Sequence, residues 1–133
     1  MRNERDVFHL AIPVRDLDET QAFYVGKLGC KLSRRYHDRI TLDFFGDQVV
    51  CHLAPEGVAK EPEFYPRHFG VSFLDRRAFD AVYRLAKQRD VPMLVDLTPR
   101  FQNTCEAHVF FGLVDPSNNV IEFKHYDDPR MMY

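Results

Sequence analysis

Two stretches of this chain begin alike and continue alike, and that repetition limits its fold more than any other feature. Residues 8–14 (FHLAIPV) alternate, placing Leu10, Ile12 and Val14 on one face and His9 and Ala11 on the other. Residues 68–74 (HFGVSFL) do the same, with Phe69, Val71 and Phe73 opposite His68, Gly70 and Ser72. A helical pattern follows each strand. The first is expected to start at Asp18, which forms a capping box with Gln21, and to stop at Gly29. Asp75 caps the second, whose Phe79, Val82, Tyr83 and Ala86 fall at helical spacing. Three strands then complete each half: 31–36, 40–45 and 48–53 in the first, and 93–96, 108–114 and 119–125 in the second. Turns are expected at Gly46-Asp47 and at residues 115–118 (DPSN), and a long loop over residues 97–107. The chain thus reads as one α+β domain over residues 1–133. It divides into a strand–helix–three-strand module at about 7–54, a Pro-containing linker at about 55–66 and a second module at about 67–127.

Composition narrows the function. With 45% hydrophobic residues the 133-residue chain can bury a core without disulfides. A net charge of −2 with no long run of one sign argues against nucleic acid and membrane surfaces as partners. Three cysteines without a C-x-x-C pair fit a thiol-reducing compartment. The charged opening, MRNERDVF, reaches a strand too soon for a signal peptide, so the expected location is cytoplasmic.

Strand parity then picks out four side chains. If Leu10 and Ile12 pack the helix, His9 faces the other way, and His68 does so opposite Phe69. In the fourth strand Val49, Cys51 and Leu53 point inward, leaving Val50 and His52 outward; in the last, Ile121 and Phe123 leave Glu122 outward. Burying three imidazoles and a carboxylate unpaired costs roughly 1–3 kcal/mol for each group. A divalent cation removes that cost, so the expectation is a metal site of His9, His52, His68 and Glu122. Nitrogen and carboxylate donors suit Fe, Zn, Ni, Co or Mn rather than Ca or Mg. His37 and His125 read as surface residues, and His108 and Glu106 as residues at a strand edge without a ligand role.

The segments FHLAIPVRDLDETQAFYVGKLGCKL, HFGVSF and LVDPSNNVIEFK resemble the vicinal oxygen chelate superfamily over almost the whole chain. That group contains glyoxalase I, extradiol dioxygenases, methylmalonyl-CoA epimerase, and fosfomycin and bleomycin resistance proteins. The resemblance implies two βαβββ modules forming a cupped mixed sheet around a metal. It also implies a homodimer, with a site inside one chain or shared between two. His9 matches the first-strand ligand, His68 the ligand opening the second module, and Glu122 the last-strand carboxylate. His52 stands where glyoxalase I has Glu and the epimerase Gln, leaving Glu122 as the one ligand able to act as base. The remaining His9, His68 and Glu122 resemble the two-His-one-carboxylate set of non-haem iron dioxygenases.

The expected function is therefore a metal-dependent enzyme that chelates a small substrate through two neighbouring oxygens. Dioxygenase-type chemistry on iron comes first, and a lyase or epimerase using Glu122 as base second. His52 is a fourth ligand or a nearby acid–base, and Asp43, Arg67 and Arg100 are candidate substrate contacts. A protein that sequesters a drug without catalysis is the competing class.

Overall fold

The computed structural model describes residues 1–133. The first half runs β1 (His9–Val14), α1 (Leu17–Gln21), β2 (Lys31–Arg35), β3 (Arg39–Phe44) and β4 (Asp47–Leu53). The second runs β5 (Phe69–Ser72), α2 (Arg76–Gln88), β6 (Met93–Arg100), β7 (His108–Val114) and β8 (Val120–Tyr126). These form two four-stranded mixed sheets, β1-β4-β3-β2 and β5-β8-β7-β6. β1 runs parallel to β4 and β5 to β8, while the other neighbours are antiparallel. The α+β fold with two βαβββ modules is thus present, but within one chain the strands make two sheets rather than one continuous cup.

Local chemistry explains several departures from the sequence reading. Asp16, not Asp18, caps α1, its carboxylate accepting from Glu19 N. α1 then widens into a π-helical turn over Ala22–Lys27, closed by Leu28 N donating to Phe23 O at 2.9 Å. The β3–β4 hairpin turns on Phe45 (φ 54) and Gly46 (φ 100), both left-handed as a type I′ turn requires. A Phe there is strained, and it is held by its ring meeting Phe123 at 5.3 Å and Phe73 at 6.0 Å. β6 continues to Arg100 through two irregular steps in its pairing with β7, so part of the expected loop is strand.

The apolar faces of both sheets merge into one core. Phe44 of β3 meets Phe69 of β5 at 5.5 Å and stacks on Phe123 of β8 at 6.3 Å. Tyr24 packs on Phe44 from the first helical segment, and Phe79 of α2 lies 5.3 Å from Phe111. Each fully buried Phe here contributes about 1.5–3 kcal/mol. The helices also touch each other, Arg89 donating to the carbonyls of Gly26 and Lys27 at 3.0 Å. Because this core uses the inward face of each sheet, the faces bearing His9 and Glu122 lie on the far side of their own sheets.

The DPSN turn ties the halves together. Asp115 accepts from the backbone N–H groups of Ser117 and Asn119, from Asn119 Nδ2 and from the buried Tyr24 hydroxyl. Asn119 also donates to Pro13 O, and Ser117 Oγ accepts from Arg15 N, so the turn grips the end of β1. Burial raises the Asp115 carboxyl above its ordinary value, although these donors pull the other way.

Candidate metal centre

Two pairs of donor side chains stand on the outward faces. In the first module, β1 and β4 are in register with His9 beside Gln48. Asp47 sets that register: its Oδ1 accepts from Phe8 N at 2.7 Å, and Gln48 N donates to Phe8 O at 2.8 Å. The His9 Nδ1 atom lies 2.6 Å from Gln48 Oε1. An amide oxygen only accepts, so Nδ1 carries the proton and Nε2 keeps its lone pair.

The second module repeats this arrangement with other atoms. His68 Nδ1 donates to the Phe64 carbonyl at 2.8 Å, which turns Nε2 toward the last strand. Nε2 faces Glu122 Oε2 at 3.3 Å. That approach is satisfied either by a proton on Nε2, which makes an ion pair, or by a cation held between the two atoms. Donors on one transition-metal ion at about 2.0–2.2 Å are separated by about 3–3.5 Å, so this pair fits a metal. Glu122 is only 8% exposed, and its Oε2 also receives Lys124 Nζ at 2.8 Å.

Glycines make room for the second pair. A Cβ on Gly70 would lie 1.6 Å from the Glu122 carbonyl oxygen, so only glycine lets β5 approach β8 here. A Cβ on Gly112 would lie 2.5 Å from the Phe64 ring, which lies against this glycine. That ring sits 4.8 Å from His68 and fixes the imidazole from its other side.

The sequence-predicted donors are brought together only in part. His68 and Glu122 meet, but no three His, Cys, Asp or Glu side chains of one chain converge on a common centre. His52 does not join His9. It pairs with Pro13 and Arg39, four residues along β4 from Gln48 or about 13 Å at strand rise, and it is exposed. Asp43 lies in the same row as Gln48, its Oδ1 accepting from Gly46 N. Arg67 is exposed beside His68, and Arg100 lays its guanidinium 5.1 Å from the Phe110 ring centre. His125 is not a plain surface residue: it is half-buried and its Nδ1 donates to Phe73 O. His108 bonds the Glu106 carbonyl, and Glu106 itself is exposed.

Gln48 is not singled out by the sequence, and Lys124 shares the outward face of Glu122 by parity without a role that the sequence assigns. Parity puts Gln48 on the same face as His52, so alternation alone could not prefer it. The available signal was topological, since β4 runs parallel to β1 and a residue opening β4 lies beside one opening β1.

Comparison with known proteins agrees with this architecture. No curated protein sequence matches the chain. A crystal structure of a glyoxalase/bleomycin resistance protein/dioxygenase from Alicyclobacillus acidocaldarius is 62% identical, covers 100% of both chains and superposes with a TM-score of 0.96. The fold is shared with the fosfomycin resistance protein FosX from Listeria monocytogenes, at 18% identity, 90% and 92% coverage and a TM-score of 0.70. It is shared too with a lactoylglutathione lyase from Agrobacterium tumefaciens, at 16% identity, 90% and 92% coverage and a TM-score of 0.66. The family model for the Glyoxalase/Bleomycin resistance protein/Dioxygenase superfamily matches residues 6–123, and this chain belongs to that superfamily.

Proposed function

We propose that this protein is a divalent-metal-dependent enzyme whose centre is assembled from two copies of the chain. His9 of one copy and His68 with Glu122 of the other hold the ion, and a small substrate is chelated through two neighbouring oxygens. The observation that carries this reading is the matched state of the two histidines. Each has Nδ1 engaged by an oxygen, of Gln48 or of Phe64, which leaves Nε2 as the ligating nitrogen, in His68 already 3.3 Å from Glu122 Oε2.

Sheet edges support the two-copy arrangement. β1 and β5 are both edge strands, each paired on one side only. β1 carries His9, and His68 immediately precedes β5. A two-fold axis that sets β1 of one copy against β5 of the other brings the outward faces into one cup and creates two equivalent sites.

Two imidazoles and one carboxylate suit iron first, with Zn, Ni, Co or Mn as substitutes. Such an ion would act as a Lewis acid toward the substrate oxygens. Three protein donors leave three of six positions open, the number a chelating substrate and a co-substrate together require, which favours dioxygenase-type chemistry. Gln48 and the Phe64 carbonyl orient the imidazoles, Lys124 holds the Glu122 carboxylate, and the Phe64 ring shields His68 from water.

A second reading keeps the same donors and has Glu122 act as base, which would make the protein a lyase or epimerase. Iron-loaded protein tested with catecholic substrates separates the two. Oxygen uptake that stops under argon supports the first reading. Turnover that continues without oxygen rejects it, and failure to retain any divalent metal rejects both.

A further inference from the structure

The tip of the β3–β4 hairpin sets its backbone against its side chain. Phe44 pairs with Asp47, so the turn consists of Phe45 and Gly46 alone. Both have positive φ, a geometry that Asn-Gly meets without strain and a Phe does not. The Phe45 side chain is 39% exposed, so burial in the core does not account for its place here. What the ring does is reach the other half of the chain. Its partners beyond the hairpin are Phe73, which follows β5, and Phe123 of β8.

The residues after the turn are those that hold His9. Asp47 Oδ1 accepts from Phe8 N, and Gln48 Oε1 accepts from His9 Nδ1. Asp43, opposite Gln48, ties the turn down by accepting from Gly46 N. At the other end of the contact, Phe123 is the chain neighbour of Glu122, with its side chain on the opposite face of β8. The Phe45 ring therefore lies between the two donor groups of one chain. In the two-copy arrangement these groups serve different centres, so the seating of the hairpin on the second module sets donor spacing in both.

From these observations we infer that Phe45 is a positioning residue for metal binding. Its ring, seated on Phe73 and Phe123, holds the hairpin where Gln48 keeps His9 in the tautomer that presents Nε2. This rests on the metal-centre reading above and adds to it what aligns the first module's donor with those of the second. Without the ring the hairpin tip swings away from the second module, and Gln48 no longer fixes Nδ1.

The test compares Phe45→Asn, which relieves the turn and removes the ring, with Phe45→Tyr, which keeps the ring. Two quantities are read. One is cobalt affinity, by competition with a coloured chelator. The other is the His9 tautomer in the metal-free protein, by nitrogen NMR at a pH where the imidazole is neutral. Phe45→Asn should weaken cobalt binding by about fivefold, somewhat less than loss of the orienting partner itself. It should also mix the His9 tautomers while leaving those of His68 unchanged, and Phe45→Tyr should match the wild-type protein in both respects. Because Phe45 acts through Gln48, Phe45→Asn should add little to the loss in Gln48→Ala. An unchanged His9 tautomer in Phe45→Asn, an equal loss in Phe45→Tyr, or a loss that adds in full to that of Gln48→Ala overturns the inference and leaves the metal reading standing. A Phe45→Asn chain that does not fold also overturns it, because the ring then serves stability alone. No cobalt uptake by the wild-type protein overturns the metal reading, and the inference with it.

Discussion

His9 and Gln48 face one another across the parallel β1–β4 pair, with Nδ1 2.6 Å from Oε1. This contact selects the histidine tautomer that leaves Nε2 able to bind a metal. Replacing Gln48 by Ala should therefore weaken transition-metal affinity by about tenfold, the usual cost of losing an orienting partner. His52→Ala, about 13 Å along the strand, should change it by no more than about twofold. Competition with a coloured chelator measures both, and a larger loss in His52→Ala would return that residue to the centre.

The comparison of Gln48 with His52 also shows what the sequence could reveal. Alternation placed His9, His68 and Glu122 on the outward faces because hydrophobic neighbours fix the parity of each strand. Parity cannot say which of two same-face residues lies beside a residue on another strand. That choice belongs to register, and here Asp47 makes it by binding Phe8 N. The convergence of the halves was equally hidden, since whether two apolar faces share a core is decided by long-range packing such as Phe44 against Phe123. The true caps and turns differ by one or two residues for local reasons. Asp16 and Asp18 are both plausible caps by type, and a Phe such as Phe45 is an unexpected occupant of a left-handed turn position.

Gly70 is where the second pair of donors is most sensitive to volume. Gly70→Ala places a methyl group 1.6 Å from the Glu122 carbonyl oxygen, on rigid backbone, so β5 must move off β8. A loss of about 3 kcal/mol in urea unfolding is expected. Gly112→Ala meets only the Phe64 ring, which can swing aside, and should cost about 1 kcal/mol. Equal losses in the two variants would show that the strand approach is not the constraint.

Asp115 should leave a mark on the pH dependence of stability. Burial raises its folded-state carboxyl above the unfolded value. The folded state then holds its proton more tightly, so this group's stabilising contribution is complete below the unfolded value and is lost as pH rises through the folded one. Asp115→Asn removes that titration. The stability advantage of the wild-type protein over this variant should be largest in acid and shrink toward neutral pH. Denaturant midpoints measured across that range would contradict the assignment if the advantage grew instead.

The assembly of one metal centre from two chains is tested most directly with mixed dimers of His9→Ala and Glu122→Ala chains. Each variant alone should bind no transition metal tightly, because both of its sites lack a donor. In a mixed dimer one site loses both donors and the other regains all of them, so about half the wild-type metal content per chain is expected. Mixed dimers that bind no more metal than either parent would contradict it.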